Sequence, residues 1–480
     1  MTASSWDQDV RRIVLSVPHR RSAAVVNSSS NREMSGTDSS TPQDCADVRM
    51  DANFSTHVAG DVAVIYPENS PKLVSRLISI LQETSSSLNA ESTLNIKCLG
   101  GHIKRKSRLG EVKKCTLGRL FSSFLDIGGT PQRGFFEGLA LHTTNEEEKE
   151  KLNELSSAEG TDLYYDYCVR EKRNYIEVLE DFKSARPCLA KLLELLPRLQ
   201  PRHYSIANSG MICQDEVHLC VAVATSKTPY GRIRAGVCSS HLSSLSPGDQ
   251  VIFWIRSGSF KMPIQSHAGV HVALPPLILV GPGTGVAPMR ALLQERKVAH
   301  EKQNLSVPPQ LRTILFFGCR KRECDFLYSD EIISASQEKN DEIPVDPDVF
   351  ITPSATVVVA FSRDQAKKVY VTNKIEEHGA SVWNLLQQVS DCRRYLPFKR
   401  LTTIRMYVTD TTTCSLCIPF IIIIKGATVF ISGSAKNMPA DVRKSFMNVI
   451  RSHGHKTEDE AKNALQVMER NGKYVVEAWS

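Results

Sequence analysis

The stretch "LILVGPGTGVAPMRALLQER", residues 277–296, decides the fold of the second half of the chain. Four apolar residues run into a turn with Gly281, Gly283 and Gly285, and a helical pattern follows. A strand, a glycine-rich turn and a helix start form a cradle for phosphate, because the helix N-terminus offers unpaired N–H groups. The dinucleotide fingerprint G-x-G-x-x-G would need glycine in place of Val286, and the Gly-Lys-Ser/Thr of a P-loop is missing. The pattern therefore predicts a nucleotide site of another kind.

The same pattern, an apolar strand followed by a helix, continues toward the carboxyl end of the chain. Apolar segments "LILVGPG", "RTILFFGCR", "ATVVVAFSR" and "ATVFISGS" are each followed by a helical pattern, and "GKYVVEAWS" predicts a last short strand. Alternation of apolar strands with helices is typical of a doubly wound parallel α/β domain. We assign this domain to residues 272–480.

The preceding part has a different composition. Segments between 200 and 262 are β-rich and separated by Gly, Pro and Ser, which predicts a small antiparallel barrel or sandwich. From about 72 to 198 the apolar period is helical, so we expect a helical insertion there. The predicted fold class is therefore α/β plus β-barrel. We place the barrel with its insertion at 58–271, and an N-terminal strand with a flexible or disordered segment at 1–57.

Composition limits the environment and the partners. The chain has 480 residues, a formal net charge of +7 and 13 cysteines without a framework spacing. An odd number of such cysteines favours a reducing, cytoplasmic compartment. Cys414-x-x-Cys417 lacks a second pair, so no metal site is predicted. No apolar run approaches the ~18 residues of a membrane span, and the modest charge favours a phosphate-bearing cofactor or an acidic protein partner over nucleic acid.

Two motifs mark the antiparallel region. Arg202-His203-Tyr204-Ser205 combines a cation for pyrophosphate, a flat ring and a hydroxyl on one strand, with alternation placing Arg202 and Tyr204 on one face. An ordinary barrel strand is the alternative. Gly236-Val237-Cys238-Ser239 can expose successive backbone N–H groups to a phosphate, although most stretches of this kind are plain turns.

Three further motifs mark strand ends in the second half. Ser362-Arg363, followed by Lys368-Val369-Tyr370, offers a hydroxyl and cations around an aromatic ring, which favours NADP over NAD; a solvated strand end is the alternative. Gly318-Cys319-Arg320 could bring a thiol to a nicotinamide, or Cys319 could be buried and inert. Trp479 stands one residue from the end of the chain and needs a flat partner unless it is a surface anchor.

The order of these motifs resembles the ferredoxin–NADP reductase superfamily, in its diflavin reductase branch. "LILVGPGTGVAP", "FFGCR", "AFSRDQAKKVYV", "GSAKNMPADV" and the terminal "EAWS" are most similar to the NADPH-dependent diflavin oxidoreductases of cytosolic iron–sulfur protein assembly. The resemblance covers most of 58–390 and 426–480. It implies that the chain is an NADPH-dependent flavoprotein oxidoreductase of the cytoplasm. In that family, hydride passes from NADPH to FAD, and electrons continue to FMN or to an iron–sulfur assembly partner.

The resemblance also implies residue roles. The motifs 202–205 and 236–239 would hold FAD, and Thr284 with its glycines would wrap the NADPH pyrophosphate. The 2′-phosphate and adenine site would take one larger set of residues. That set is Ser362, Arg363, Lys368, Val369, Tyr370, Val371 and Thr372, while Asp441 matches another NADP contact and Arg320 is a further cofactor-binding candidate. Thr372 stands where the family has Gln, so that contact differs.

Hydride transfer in the family uses a Ser, a Cys and an acid near the flavin. Ser205 and Glu477 match the first and third, whereas the usual Cys position falls on Ser432. The resemblance therefore implies that Ser205 and Glu477 handle protons. Trp479 matches the aromatic residue that stacks on the flavin and moves aside for nicotinamide, and Cys319 stays a further catalytic candidate.

Two departures shape the expectations. The family begins with a flavodoxin-like FMN domain, which we do not expect in this chain, because "WDQDVRRIVLSVP" already resembles the first strand of the FAD module. Residues 389–424 have no counterpart in the family pattern, and we hypothesise that they are a translated non-coding or aberrantly spliced segment. Two alternatives stay open: a single-flavin reductase acting on a separate flavodoxin or haem acceptor, and a truncated, non-catalytic interaction form.

Overall fold

The computed structural model describes residues 9–16, 57–95, 114–262, 274–303, 312–337, 346–387 and 426–479. The atypical stretch 389–424 and the predicted flexible segment at 18–56 lie outside the described residues. The predicted N-terminal strand is present at Val10–Ser16.

Fifteen strands occur in the described residues, and they are numbered here in chain order. They are β1 (Val10–Ser16), β2 (Val62–Ile65), β3 (Thr93–Asn95), β4 (Lys114–Thr116), β5 (Arg202–Ser205), β6 (Glu216–Ala222), β7 (Thr225–Lys227), β8 (Ile233–Ala235), β9 (Phe253–Arg256), β10 (Leu277–Pro282), β11 (Thr313–Cys319), β12 (Val349–Ile351), β13 (Thr356–Phe361), β14 (Thr428–Ser434) and β15 (Tyr474–Trp479).

The helices of the described residues fall into two groups. Those before β10 are Pro71–Thr84, Leu117–Ser123, Arg133–Ala140, Glu146–Ser156, Thr161–Tyr164, the π-helix Tyr165–Val169, Tyr175–Asp181, Leu189–Leu195 and Val237–Ser244. Those after it are the 3₁₀ turn Gly283–Gly285, Val286–Gln303, Arg322–Asp325, Ser329–Gln337, Val371–Glu377, Gly379–Gln387, Met438–Gly454 and Glu458–Arg470. No helix in these described ranges combines the length and apolarity needed to cross a membrane.

The second half forms the predicted parallel sheet, with the strand order β12-β13-β11-β10-β14-β15. All neighbours pair in parallel except β12, which runs antiparallel to β13. The strands are apolar throughout because helices cover both faces of the sheet. Successive residues of β10 serve opposite faces: Val280 packs with Val429 and Phe446, whereas Leu279 packs with Met289 and Phe317.

The strand order creates a crevice at one point of this sheet. The chain enters at β10, moves outward through β11 and β13, and returns to the other side of β10 through β14 and β15. In open α/β sheets, ligands bind outside the carboxyl ends of the strands where the order reverses. The glycine-rich turn quoted above follows β10 and therefore lies at this switch point.

The antiparallel region is built from short strands around a small core. Within the described residues, β2 pairs with β5 and β9, β1 pairs with β6, and β7 pairs with β8. An isolated bridge between Ile206, which follows β5, and Leu219 in the middle of β6 connects these two strands. These strands enclose a common core that includes Ala63, Ile65 and Val217. The antiparallel character is as predicted, while closure of the strands into one barrel stays a prediction.

The expected helical insertion is present between β2 and β5. Its helices share one buried core, with Phe121, Phe136 and Leu139 at its centre. The buried Glu171 carboxylate ties this region to the β7–β8 hairpin, because it accepts from the Thr228 hydroxyl at 2.9 Å. The insertion is therefore fixed to the antiparallel region at the β7–β8 hairpin.

Candidate functional site

The glycine-rich turn is held tightly against its neighbours. A Cβ added at Gly285 would overlap the carbonyl oxygen of Ser432, and one added at Gly281 would lie 2.7 Å from the carbonyl oxygen of Gly285. Gly283 differs, because it has φ +58 and an added Cβ would meet no atom within 4 Å. The turn thus packs its backbone on β14 on one side and leaves the Gly283 side open, where a ligand can approach the chain.

The turn leads directly into the helix Val286–Gln303. The first N–H groups of such a helix have no partner inside the helix and attract anions. Thr284 lies half-buried in the 3₁₀ turn between the two outer glycines. The arrangement suits a pyrophosphate group better than a flat ring, because backbone donors and not side chains line it.

The last two strands bring the predicted hydride-transfer residues to the same edge. Ser432 pairs in register with Glu477, and Ser434 pairs with Trp479. Ser432 is fully buried and its Oγ has no hydrogen-bond partner. Trp479 is 40% exposed, so its indole is available to a flat partner.

Glu477 connects the two halves of the chain. Its Oε1 accepts a hydrogen bond from the backbone N–H of Ser259 at 2.6 Å. Ser259 follows β9 of the antiparallel region, so the terminal strand of the parallel sheet meets that region here. Sequence reasoning missed Ser259, because a backbone donor 218 positions away leaves no sequence signal.

The predicted 2′-phosphate segment begins at the carboxyl end of β13. The N–H of Ser362 donates to the Cys319 carbonyl at 2.9 Å, and that of Arg363 donates to the Arg320 carbonyl at 2.8 Å. The side chains of Arg363, Lys368 and Tyr370 are exposed. These backbone bonds fix the segment next to β11, and its cations and ring face solvent, as a site for a phosphate and adenine requires.

The remaining members of this set support the segment. Val371 is buried and begins the helix Val371–Glu377, with Thr372 half-buried beside it and Val369 half-buried before it. The Arg320 N–H donates to both oxygens of Asp325, at 2.9 and 3.0 Å.

Asp441 lies exposed in the first turn of the helix Met438–Gly454. That helix follows β14, and Met438 packs against Gly433 at the strand's end. Asp441 therefore belongs to the same carboxyl edge of the sheet as the 2′-phosphate segment.

Cys319 lies at the carboxyl end of β11 but points into the core. It is buried in the cluster that contains Phe317 and Phe361. Burial raises the pKa of its thiol, with smaller contributions from nearby carboxylates. The thiol is therefore held in its neutral form, and a role at the nicotinamide stays a prediction.

Tyr204 of β5 contacts the second motif of the antiparallel region. In register, Tyr204 pairs with Ala63 and Arg202 with Ile65, so both share the core-facing side of the sheet, as the alternation predicts. Tyr204 and Cys238 pack in the same core cluster, and burial is the main cause that raises the pKa of each. The fold thus unites the two motifs that the sequence separates.

The Gly236–Ser239 motif forms a helix start instead of a plain turn. Gly236 precedes the helix Val237–Ser244, and no side chain caps its first N–H groups. The Ser239 hydroxyl accepts from the Ala224 N–H at 3.1 Å and donates to the Gly236 carbonyl at 3.2 Å. Ser239 therefore braces the turn, and Val237 and Cys238 carry uncapped backbone donors.

The opposite face of β5 carries His203 and Ser205. His203 is exposed, and partial burial with the charge of Arg256 lowers its pKa. Val64 of β2 pairs with both His203 and Trp254, which places Trp254 on the same face. Trp254 is 40% exposed and was not singled out from sequence, although its alternation within β9 was a usable signal.

Hydrogen bonds fix the parallel sheet to β2 and β5. The helix after the glycine-rich turn makes three of them. Glu295 Oε2 accepts from the Ala59 N–H at 2.8 Å, and Gln294 Oε1 accepts from the Ser209 N–H at 3.0 Å. Arg290 Nη1 donates to the Ala207 carbonyl at 2.7 Å. Ala59 precedes β2, and Ala207 and Ser209 follow β5. The strand with the RxYS motif and the glycine-rich turn are therefore coupled through one helix.

The residues present fit two anionic cofactors. The open side of Gly283 and the uncapped helix start at Val237 supply backbone donors for two separate phosphate groups. Exposed Arg363 and Lys368 supply charge for a third phosphate. The buried hydroxyl of Ser432, which has no hydrogen-bond partner, and the exposed indole of Trp479 lie toward the carboxyl ends of β14 and β15.

Comparison with known proteins assigns both halves. Residues 18–241 match the FAD binding domain family, and residues 279–391 match the oxidoreductase NAD-binding domain family. The chain is 34% identical over 427 residues to NADPH-dependent diflavin oxidoreductase 1 of Danio rerio, which covers 88% of the chain and 60% of that protein. The Arabidopsis thaliana protein of the same name is 34% identical, over 88% of the chain and 58% of its own length.

A second group of relatives consists of NADPH–cytochrome P450 reductases. NADPH–cytochrome P450 reductase of Dictyostelium discoideum is 30% identical, over 88% of the chain and 53% of its own length. The chain thus spans about three fifths of the length of the diflavin oxidoreductases that it matches. An FAD binding domain is thus followed by an oxidoreductase NAD-binding domain, and over most of its length the chain is similar to diflavin oxidoreductases and to NADPH–cytochrome P450 reductases.

Proposed function

We propose that the chain is an NADPH-dependent flavoprotein reductase module that passes hydride from NADPH to FAD. The observation that carries this proposal is the contact between Glu477 and the Ser259 N–H. It supports a meeting point between the terminal strand of the NADP-binding domain and the FAD-binding domain. A hydride can pass between two cofactors only where their domains meet.

NADPH would be held by two groups of residues. Backbone donors after β10, including Gly281, Gly283, Thr284 and Gly285, would take the pyrophosphate. A second, larger set would take the 2′-phosphate and adenine. That set is Arg320, Ser362, Arg363, Lys368, Val369, Tyr370, Val371, Thr372 and Asp441, and the exposure of its cations supports it.

FAD would be held by the antiparallel region. The uncapped helix start at Gly236, Val237, Cys238 and Ser239 would donate to its pyrophosphate, with Arg202 supplying charge. His203, Tyr204 and Ser205 would position the flavin along β5. We further infer that the short antiparallel sheets belong to one barrel of an FAD domain at 58–271, followed by the NADP domain at 272–480.

Hydride transfer itself is chemistry that the two cofactors supply when bound, and the chain supplies positioning. Glu477 and Ser205 would hold or move a proton beside the reacting rings, since Glu477 is oriented by the Ser259 N–H. Trp479 would cover the flavin and move aside for nicotinamide. Cys319, with its raised pKa, could approach the nicotinamide only as a neutral thiol.

The electron acceptor is proposed at the level of a protein class. Two matched relatives are named diflavin oxidoreductases, which supports onward transfer to an FMN domain or to an iron–sulfur assembly partner. The cysteine usage noted above supports a cytoplasmic setting. The same features leave a separate flavodoxin or a haem protein as the alternative acceptor.

One anaerobic experiment tests the proposal. The purified chain is supplied with FAD, and its flavin absorbance is followed after addition of NADPH, with and without cytochrome c. We expect bound flavin to bleach with NADPH while cytochrome c reduction stays slow. Rapid cytochrome c reduction would favour the single-flavin alternative, and a chain that folds but neither holds FAD nor bleaches would overturn the proposal in favour of an interaction form.

A further inference from the structure

The turn before β6 and the first residues of that strand carry a cluster of possible metal ligands that the proposed reductase function does not use. It contains Cys213, Glu216 and His218, whose ligand atoms all lie within 4.8 Å of one another. Cys213 and Glu216 are half-buried, and His218 is buried. The group is therefore reachable from solvent on one side and anchored in the fold on the other.

The backbone holds these three side chains in place. Glu216 and His218 are two residues apart on β6, so they project from the same face of the strand. The buried side chain of Asn208 bonds to the backbone of all three residues. Its Oδ1 accepts from the His218 N–H at 2.8 Å. Its Nδ2 donates to the Glu216 carbonyl at 2.9 Å and to the Cys213 carbonyl at 3.5 Å. One amide side chain thus fixes the relative positions of all three residues.

We propose that Cys213, Glu216 and His218 form a binding site for Zn²⁺. Thiolate, imidazole and carboxylate are the three ligand types that zinc takes in proteins, and three protein ligands leave the fourth position for water. Ligand atoms around tetrahedral zinc lie about 3.3–3.7 Å apart, as zinc bonds of about 2.0–2.3 Å require. Atoms that lie within 4.8 Å of one another therefore have to approach by at most about 1 Å, which side-chain rotation can supply.

Binding of Zn²⁺ changes where protons lie on His218 and Cys213. His218 Nε2 lies 2.7 Å from Glu216 Oε2, and His218 Nδ1 lies 3.3 Å from Arg12 Nη2, which assigns the ring proton to Nε2. On binding, that proton moves to Nδ1, Nε2 bonds to the metal, and the exposed Arg12 turns toward solvent. Cys213 loses its thiol proton to solvent, so one proton is released for each ion bound.

A second cluster of comparable size is a poorer candidate. Asp346, Glu377 and His378 also bring three ligand atoms within 4.8 Å of one another. However, the ammonium of Lys374 already lies 3.7 Å from Asp346 and 3.2 Å from Glu377. This cation neutralises the carboxylates, and the group lacks a thiolate, so it serves as a useful internal control.

The test measures metal binding directly, without reference to flavin reduction. The full chain is stripped with a chelator under reductant, and Zn²⁺ is titrated in competition with a chromogenic chelator. Co²⁺ is used as a spectroscopic probe for a thiolate ligand. We expect one tight equivalent of Zn²⁺, a thiolate–cobalt charge-transfer band, and a Zn²⁺-dependent rise in unfolding temperature.

Two variants and two controls decide the outcome. Cys213→Ser and Glu216→Gln change half-buried side chains and should each weaken Zn²⁺ binding at least tenfold, while Cys213→Ser also removes the charge-transfer band. Cys324→Ser, at an exposed cysteine elsewhere, and Glu377→Gln should leave both readouts unchanged. A wild-type chain without a tight equivalent, or a Cys213→Ser variant that binds like wild type, would overturn the proposal.

Discussion

The two halves of the proposed NADPH site are built in opposite ways. Around Gly281–Gly285 the site is backbone, packed so closely that Gly285 has no room for a side chain beside Ser432. Around 362–370 the proposed site is side chains: Arg363, Lys368 and Tyr370 are exposed, and only the backbone of Ser362 and Arg363 is fixed to the end of β11. The first half depends on shape and the second on charge, so substitutions should damage them differently.

The largest expected effect is steric. Gly285→Ala places a Cβ against the Ser432 carbonyl, and overpacking against rigid backbone should lower the free energy of unfolding by about 3 kcal/mol or more. Gly283→Ala is the matched control: its positive φ should cost only about 1 kcal/mol, because open space surrounds it. Chemical denaturation of both variants checks the difference. Equal losses would show that packing on β14 does not distinguish the two glycines.

The second effect is electrostatic and leaves the fold intact. Arg363→Ala should weaken NADPH binding by about 10- to 100-fold, since a hydrogen bond to a charged group contributes about 1.5–3 kcal/mol. Its unfolding temperature should stay unchanged, because Arg363 is exposed. NADH, which lacks the 2′-phosphate, is the control ligand. Titration of both nucleotides checks this, and an equal loss for NADH would contradict the assignment.

The smallest expected effect is that of a substitution at Ser432, which tests both packing and contact with the ligand. Its hydroxyl is buried without a partner, so Ser432→Ala should raise the free energy of unfolding by about 1 kcal/mol in the cofactor-free chain. If bound nicotinamide supplies the missing partner, the same variant should slow flavin bleaching by NADPH. Thermal unfolding and stopped-flow absorbance separate the two. A destabilised variant with unchanged bleaching would mean that Ser432 only fills space.

Several features could be predicted from local sequence alone. The parallel sheet, the helical insertion and the antiparallel region follow from apolar periodicity, and the pairing of Arg202 with Tyr204 on one face follows from strand alternation. Contacts between distant segments could not. The packing of Tyr204 with Cys238 and the hydrogen bond from Ser259 to Glu477 depend on how segments pack, for which periodicity carries no information.

The amino-acid sequence by itself determined which segments are strands and helices, the order of the motifs and hence the family. Tertiary structure alone decided what each side chain meets. Cys319 follows a strand at the predicted edge, yet its thiol turns into the core, whereas Glu477 reaches across to the other domain. The physical reason is the distance along the sequence over which each signal acts. Periodicity indicates which residues of one helix or strand are buried. A site is formed by helices and strands that come together from distant parts of the chain.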